Sequence, residues 1–448
     1  MTQSLDDLSH ALIDAALKAG AQSADAIAIR GQSVIVDMRG GTLEQAERAE
    51  GTDIGLRVLI GGRQANVSAS DTRPETIHAL AARAVAMAVE APEDPHAGLA
   101  DPDQIARDWD LAALELCDPT PEPAPDALMQ VAREAEAAAL AVEGVSQVQS
   151  ASASYSHNAA HIAASNGFSG GYARTETSLG CVAIAGTGAG MERDYDADSR
   201  VFASDLRAAA EIGHRAGLRT AERLNARRPR TGSYPVLFDE RIAASLIGHL
   251  LVAANGASVA RGSSWLMHRL GEVVLPESLS LIEDPHRARV TGSRPFDAEG
   301  LPTAPRSIVE DGVLMGWTLD LATARKLGMR STANAARGTS GPPSPATWNV
   351  ALTQGTRSRA DLIGEMGTGL LVTSMIGATI NPNTGDYSRG ASGFWVENGE
   401  IAYPVNECTI AGSLPDMLRS LIPANDARPH LSRVVPSLLV EGLTLAGE

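Results

Sequence analysis

The pattern of apolar and polar positions changes period several times along the chain. From residue 4 to residue 19, Leu5, Leu8, Leu12, Ile13 and Leu17 recur at three- and four-residue steps, which predicts a helix with one apolar face. Residues 24–30, 33–39 and 55–60 read as extended runs, and a helix over 74–89 closes this unit. The same plan then repeats. A helix opens near Asp126, a residue suited to N-capping that directly follows a proline, with Leu128, Val131 and Ala135 on one face. Strands are expected over 145–156, 159–164 and 178–185, and a long helix over 204–224. Helix, antiparallel strands, helix, twice over, predicts a duplicated α+β module.

The last segment is rich in hairpin signals. Asp311-Gly312 lies between Ile308-Val309 and Val313-Leu314, and Asn398-Gly399 lies between Phe394-Trp395-Val396 and Ile401-Ala402-Tyr403. Both turn residues of such a pair must accept positive φ, so each predicts a tight turn between antiparallel strands. One helix, starting near Asp239, is apolar around most of its circumference and is expected to be buried. The fold class is therefore α+β: two N-terminal modules, then a large domain on a mostly antiparallel or mixed sheet with a buried helix.

Proline density sets the boundaries. Pro92, Pro95, Pro102, Pro119, Pro121, Pro123 and Pro125 block helices and ladders, so 93–125 reads as a connector. The domains become 1–92, 126–226 and 227–448, with a second break at 225–235. Residues 335–349 hold Gly338, Gly341, Pro342, Pro343 and Pro345, a loop inside the last domain of a length that is often mobile and functional.

Composition narrows the classes. The chain of 448 residues carries 37 basic and 54 acidic residues, a net charge of −17, which disfavours binding to nucleic acid. No apolar run is long enough to span a bilayer, and the N-terminus carries acids where a secretory leader needs positive charge. Cys117, Cys181 and Cys408 are far apart, which fits the reducing cytoplasm and gives neither a disulfide framework nor a zinc knuckle.

Residues with chemical potential each have a plainer reading. His157 and His161 have a spacing that suits zinc on a helix, but they lie in a strand-like run. Asp194, Asp196 and Asp198 imitate the start of a calcium loop without its glycine and closing glutamate, and read as a solvated strand face. Ser392 has no neighbouring base, Cys408 reads as a buried structural thiol, and 186–190 reads as a turn, since no helix start follows it.

The stretches 296–300 (Phe-Asp-Ala-Glu-Gly), 308–312 (Ile-Val-Glu-Asp-Gly), 324–328, 366–369, 385–401 and 404–412 occur in an order that resembles the TldD/PmbA family, once called modulators of DNA gyrase, and within it the PmbA (TldE) branch. The resemblance covers essentially the whole chain. In the TldD branch a helix carries a His-Glu-x-x-x-His zinc motif, with a cysteine near the C-terminus as third ligand. The matching helix here holds Ala244 and Ser245 at the first histidine and the glutamate, and His249 at the last histidine. No cysteine follows Cys408. Alone on an apolar helix, His249 reads as a satisfied core histidine.

The resemblance thus implies no zinc or other cofactor in this chain and no catalytic residue of its own. The zinc is expected in a TldD-like catalytic partner, with which this chain would form a cytoplasmic heterodimeric peptidase for unfolded or small peptides and peptide precursors. Alone, the chain would be a homodimer. The glycine-punctuated loop of Gly385, Asp386, Tyr387, Ser388, Arg389, Gly390 and Gly393 is the expected element for gripping an extended peptide, with an Asp386–Arg389 salt bridge as the purely structural alternative. Two other classes stay open: a self-sufficient hydrolase with an unrecognised site, and a non-enzymatic, peptide-binding homodimer.

Overall fold

The computed structural model describes residues 3–448. The first helical period becomes α1 (Leu5–Lys18). Ser4 caps it by accepting the Asp7 amide, while the Asp7 carboxylate accepts the Ser4 amide in return. The short extended runs merge into long strands, β1 (Ser23–Arg39) and β2 (Thr42–Ile60), followed by β3 (Arg63–Ala69) and α2 (Pro74–Glu90). The second module holds α3 (Pro125–Leu140), β4 (Val145–Ala164), β5 (Ser169–Ala185), β6 (Glu192–Arg200) and α4 (Ala209–Ala221). Asp126 does not cap α3: Ala124 is the N-cap and Pro125 the first helical residue. Proline already has the helical φ and lacks an N–H to orphan, so Asp126 falls inside the first turn, where its charge favours the helix dipole.

The six strands form one antiparallel sheet in the order β3-β2-β1-β4-β5-β6. The two modules are joined through the β1–β4 pairing, which runs from Asp25↔Ala164 to Met38↔Ala151. Helices α1 and α2 cover Ile54, Leu56 and Val58, and α3 and α4 cover Val36, Leu179 and Ala183.

The C-terminal domain is a mixed sheet around a buried helix. Its main strands are β7 (Gly232–Phe238), β8 (Gly369–Ile380), β9 (Asp386–Glu397), β10 (Glu400–Ser413) and β11 (Leu438–Ala446). The order is β10-β9-β8-β7-β11, with β8 and β7 parallel, and β10 also meets β11, so the sheet closes on itself like a barrel. Helix α5 (Glu240–Ala253) buries Leu246, Ile247 and Leu250 against Val236, Phe238 and Val372, and α6 (Arg359–Met366) covers Leu237 and Leu371 on the other face. Both hairpin signals form turns with positive φ, at Asp311 (46°) and Gly312 (80°) and at Asn398 (55°) and Gly399 (78°). None of the described helices is long and apolar enough to cross a membrane.

The 335–349 segment is docked rather than free. Ala335–Ala336 pairs with Ser344–Pro345, and Arg337, its side chain fully buried, forms an ion pair with Asp25 of β1. Gly55 of β2 lies so close that a Cβ there would sit 2.3 Å from the Thr339 carbonyl oxygen. Burial pushes the Asp25 carboxyl up, but Arg337 and Arg57 beside it hold it below its ordinary value.

The α3–α4 crossing offers a test of this packing. A Cβ on Gly213 would lie 1.9 Å from the Ala135 carbonyl oxygen. Alanine gains about 1 kcal/mol over glycine in a helix interior, whereas overpacking costs about 1–3 kcal/mol. Gly213→Ala is expected to lower the unfolding temperature by several degrees; a rise would show that these helices are not in contact.

Candidate functional site

Helix α5 is fixed at its N-terminus by charge. Asp239 caps it by accepting the Arg241 amide, and the Arg241 guanidinium, 8% exposed, lies 3.2 Å from Asp239 and 2.9 Å from Asp194 of β6. This bridges the second module to the C-terminal domain and sets the direction in which the rest of α5 points.

Ser245 and His249 lie one turn apart on α5. Ser245 Oγ and His249 Nε2 are both buried and have no hydrogen-bond partner. The reading of His249 as a satisfied core histidine is therefore corrected: its buried Nε2 finds no donor or acceptor among the described residues. Its ring meets Tyr387 edge-on at 5.9 Å, and the Tyr387 hydroxyl donates to Met375 Sδ at 3.2 Å. Arg389 approaches the same cluster and donates through Nε to the Gly377 carbonyl at 2.7 Å. Burial, with Arg389 adding to it, holds His249 below its ordinary pKa, and burial pushes Tyr387 up to about 12. The cluster presents a neutral imidazole and an un-ionised phenol. No carboxylate joins them, so they form no acid–base pair.

These residues do not fit a zinc ion. Ala244 has no donor atom, and a serine hydroxyl replaces the expected carboxylate. Cys408 is not a thiolate: burial pushes it up to about 11, and its Sγ donates to the Ala391 carbonyl at 3.2 Å. Among the described residues no group of three His, Cys, Asp or Glu side chains is arranged to hold a metal.

The stretch expected to be a gripping loop is strand. Asp386, Tyr387, Ser388, Arg389, Gly390 and Gly393 all belong to β9, which lies between β8 and β10, so its backbone groups are already paired on both sides. An extended peptide cannot add there. The glycines serve packing instead: a Cβ on Gly393 would lie 1.9 Å from the Leu371 carbonyl oxygen, and one on Gly385 2.7 Å from Pro415. The Asp386–Arg389 salt bridge does not form either, since Asp386 accepts from Thr384 and Arg389 turns to Gly377. Tyr387 is buried. Gly390, however, lines a cleft of about 770 Å3 together with Met191, Arg223, Met375, Ile376 and Ser392.

The open edge lies next door, on β8. Strand β7 ends at Phe238, opposite Val372, and beyond this point β8 pairs, among the described residues, only with β9. Ile376, 78% exposed, stands on this unpaired stretch. Sequence reasoning missed it because the β8 run reads like any buried strand. Only the shorter length of its neighbour leaves the edge bare.

The remaining sequence candidates do not converge. His161 bonds Ser9 at 2.7 Å and lies 3.3 Å from Asp6, while His157 sits in the ladder opposite Gln32. Asp194, Asp196 and Asp198 are not a solvated face. They are buried, turned toward α4, and meet Arg223, Arg207, Arg219 and Arg200. Ser392 accepts from Arg223 at 3.0 Å.

The depressed His249 value has a consequence for acid stability. As pH falls below about 6.5, the unfolded chain binds the proton before the folded chain does, so stability is lost there until the folded-state value is passed. His249→Phe is expected to lose less stability than the wild type between about pH 7.5 and about pH 5.5, read by urea unfolding. His161 and His430, also depressed by burial, contribute equally to both proteins. Equal losses would show that the His249 imidazole is free to protonate in the fold.

Comparison with known proteins agrees with this architecture. Models of the PmbA/TldA metallopeptidase match in three consecutive parts: domain 1 over residues 24–88, the central domain over 118–226 and the C-terminal domain over 231–447. The metalloprotease PmbA of Escherichia coli O157:H7 is 37% identical over 93% of this chain and 90% of its own length. The PmbA homolog of Haemophilus influenzae is 37% identical over 97% and 94%. The crystal structure of a putative modulator of DNA gyrase from Bacteroides thetaiotaomicron superposes with a TM-score of 0.92 at 27% identity, covering 100% of both chains. TldE from Thermococcus kodakarensis shares the fold, with a TM-score of 0.84 at 22% identity over 98% of this chain and 99% of its own. The chain belongs to the PmbA/TldD metallopeptidase family, in its PmbA/TldE-like branch.

Proposed function

We propose that this chain is the non-catalytic half of a TldD/TldE-type zinc peptidase, supplying scaffold and substrate grip to a TldD-like partner that holds the metal. The observation that carries this reading is α5, which keeps its place against the sheet but presents Ala244, Ser245 and a lone His249. Zinc hydrolysis needs about three protein ligands and a base to deprotonate the bound water. One neutral imidazole and one hydroxyl supply neither. Alone, the chain pairs with a second copy; in the cytoplasm it pairs with the catalytic subunit. Its net charge of −17 favours neither role through nucleic acid.

The grip falls to the bare edge of β8. An extended peptide can add one strand there through main-chain hydrogen bonds, which read no sequence and so suit a peptidase of unfolded segments. Met375 and Ile376 border that edge and the 770 Å3 cleft, and Gly390 leaves the cleft wall low. Residues 385–393 thus support the edge from behind.

The purified chain with added zinc is expected to leave unstructured peptides uncut, and cleavage is expected to appear on adding a TldD-like partner. Zinc-dependent cleavage by the chain alone, or stoichiometric zinc retained by it after purification, overturns the proposal. Within the complex, Ile376→Lys is expected to raise KM several-fold with kcat and Tm little changed. An unchanged KM would remove the edge of β8 from the grip.

A further inference from the structure

A separate cavity of about 720 Å3 lies where the second module meets the C-terminal domain, large enough for a few peptide residues. It shares no lining residue with the His249 cluster or the 770 Å3 cleft. One wall is apolar, built by Leu371, Phe394, Ile401 and Tyr403. The opposite wall is charged, and its two signs are not equally available.

The acids are occupied. Asp194, Asp239 and Glu240 have side chains at most 15% exposed, and each already lies against an arginine: Arg241, Arg359 and Arg428 respectively. Asp426 accepts both the amide and the hydroxyl of Ser437. Among the acids of the lining only Glu222, at the rim, is exposed. The arginines keep capacity. Arg359 is 42% exposed and Arg428 34% exposed, each with one ion pair, whereas a guanidinium carries five N–H donors. Arg215, 45% exposed, approaches acids no closer than 3.7 Å. Burial and the neighbouring Arg241 hold Arg219 below its usual range, a sign that positive charge is already crowded here.

A second observation points to a ligand. Thr373, 6% exposed, lines the cavity, and its Oγ1 is buried with no hydrogen-bond partner. A buried hydroxyl without a partner is destabilising, and a hydrogen bond to a ligand oxygen would relieve it.

We propose that this cavity captures the C-terminal carboxylate of a peptide, with Arg359 and Arg428 donating to the carboxylate, Thr373 adding a hydrogen bond, and an apolar last side chain lying against Phe394, Ile401 and Tyr403. The proposal takes only the class of ligand from the proposed function. It adds a directional hold on the chain end, away from the edge of β8.

The test is fluorescence anisotropy of the isolated full chain with a short labelled peptide ending in leucine, as the free acid and as the C-terminal amide. The free acid is expected to bind about tenfold or more tightly than the amide, since charge-assisted hydrogen bonds are lost with the carboxylate. Thr373→Val keeps the side-chain volume and Arg359→Gln leaves Asp239 its Arg241 partner, so both are expected to fold, as checked by Tm. Each is expected to weaken binding of the acid several-fold and to leave the amide unchanged. Acid and amide binding alike, no binding of either, or both variants binding as the wild type overturns the proposal. Those outcomes leave the zinc-partner reading standing, because it is judged by cleavage in the complex. An inactive complex in turn leaves the carboxylate preference standing.

Discussion

The buried charge contact between Arg241 and its two aspartates, Asp194 and Asp239, governs much of what this molecule can do. It joins β6 of the second module to the first turn of α5, and Arg223 extends it from Asp194 to Ser392 on β9. A charge taken out of water must keep its partner: breaking such a pair costs about 3–5 kcal/mol, because the remaining ion stays buried and unpaired. An apolar junction could slide, whereas a three-way ionic one has a single register. That register fixes how α5 enters the domain, which face carries His249, and where the interdomain cavity opens. Asp25, Arg57 and Arg337 do the same on the other side, tying the 335–349 segment to β1 and β2.

Helix α5 is packed firmly against the sheet, yet its residues do not make a metal site. Ser245 Oγ and His249 Nε2 are carried at the cost of buried, unpartnered polar atoms. The long helix, the close β8–β9 approach at Gly393 and the left-handed turn at Asn398-Gly399 hold the surrounding scaffold in place.

The edge of β8 and the arginine-lined cavity share a logic. Both leave hydrogen-bonding groups without a partner in the folded chain, main-chain groups in one and guanidinium and hydroxyl groups in the other. Main-chain and guanidinium groups beside water cost little without a partner, whereas the buried Thr373 hydroxyl costs more, and on the proposed reading both kinds become recognition elements for an extended chain. Backbone and chain terminus are features common to all peptides, so on the proposed reading neither surface would select by side-chain sequence beyond one apolar residue.

Much of the local structure was legible in the sequence. The period of Leu5, Leu8 and Leu12 set α1, and Asp311-Gly312 and Asn398-Gly399 set their turns, because φ preference and side-chain period act over a few residues. The α+β class followed from the same local signals, and the family from the resemblance of the stretches between 296 and 412. Ala244 and Ser245 were equally plain, since the absence of a donor atom needs no coordinates. The sequence erred where long-range pairing decides. Residues 385–393 look like a loop because glycine permits one, but flanking strands on both sides make them the interior of a sheet. Asp194, Asp196 and Asp198 alternate like a solvated face, yet arginines two to forty-seven residues away in the chain draw them inward. The bare edge of β8 and the interdomain cavity exist only because β7 stops early and two domains meet across paired charges. A strand's neighbours and an ion's partner are properties of the assembled fold, and no local pattern encodes them.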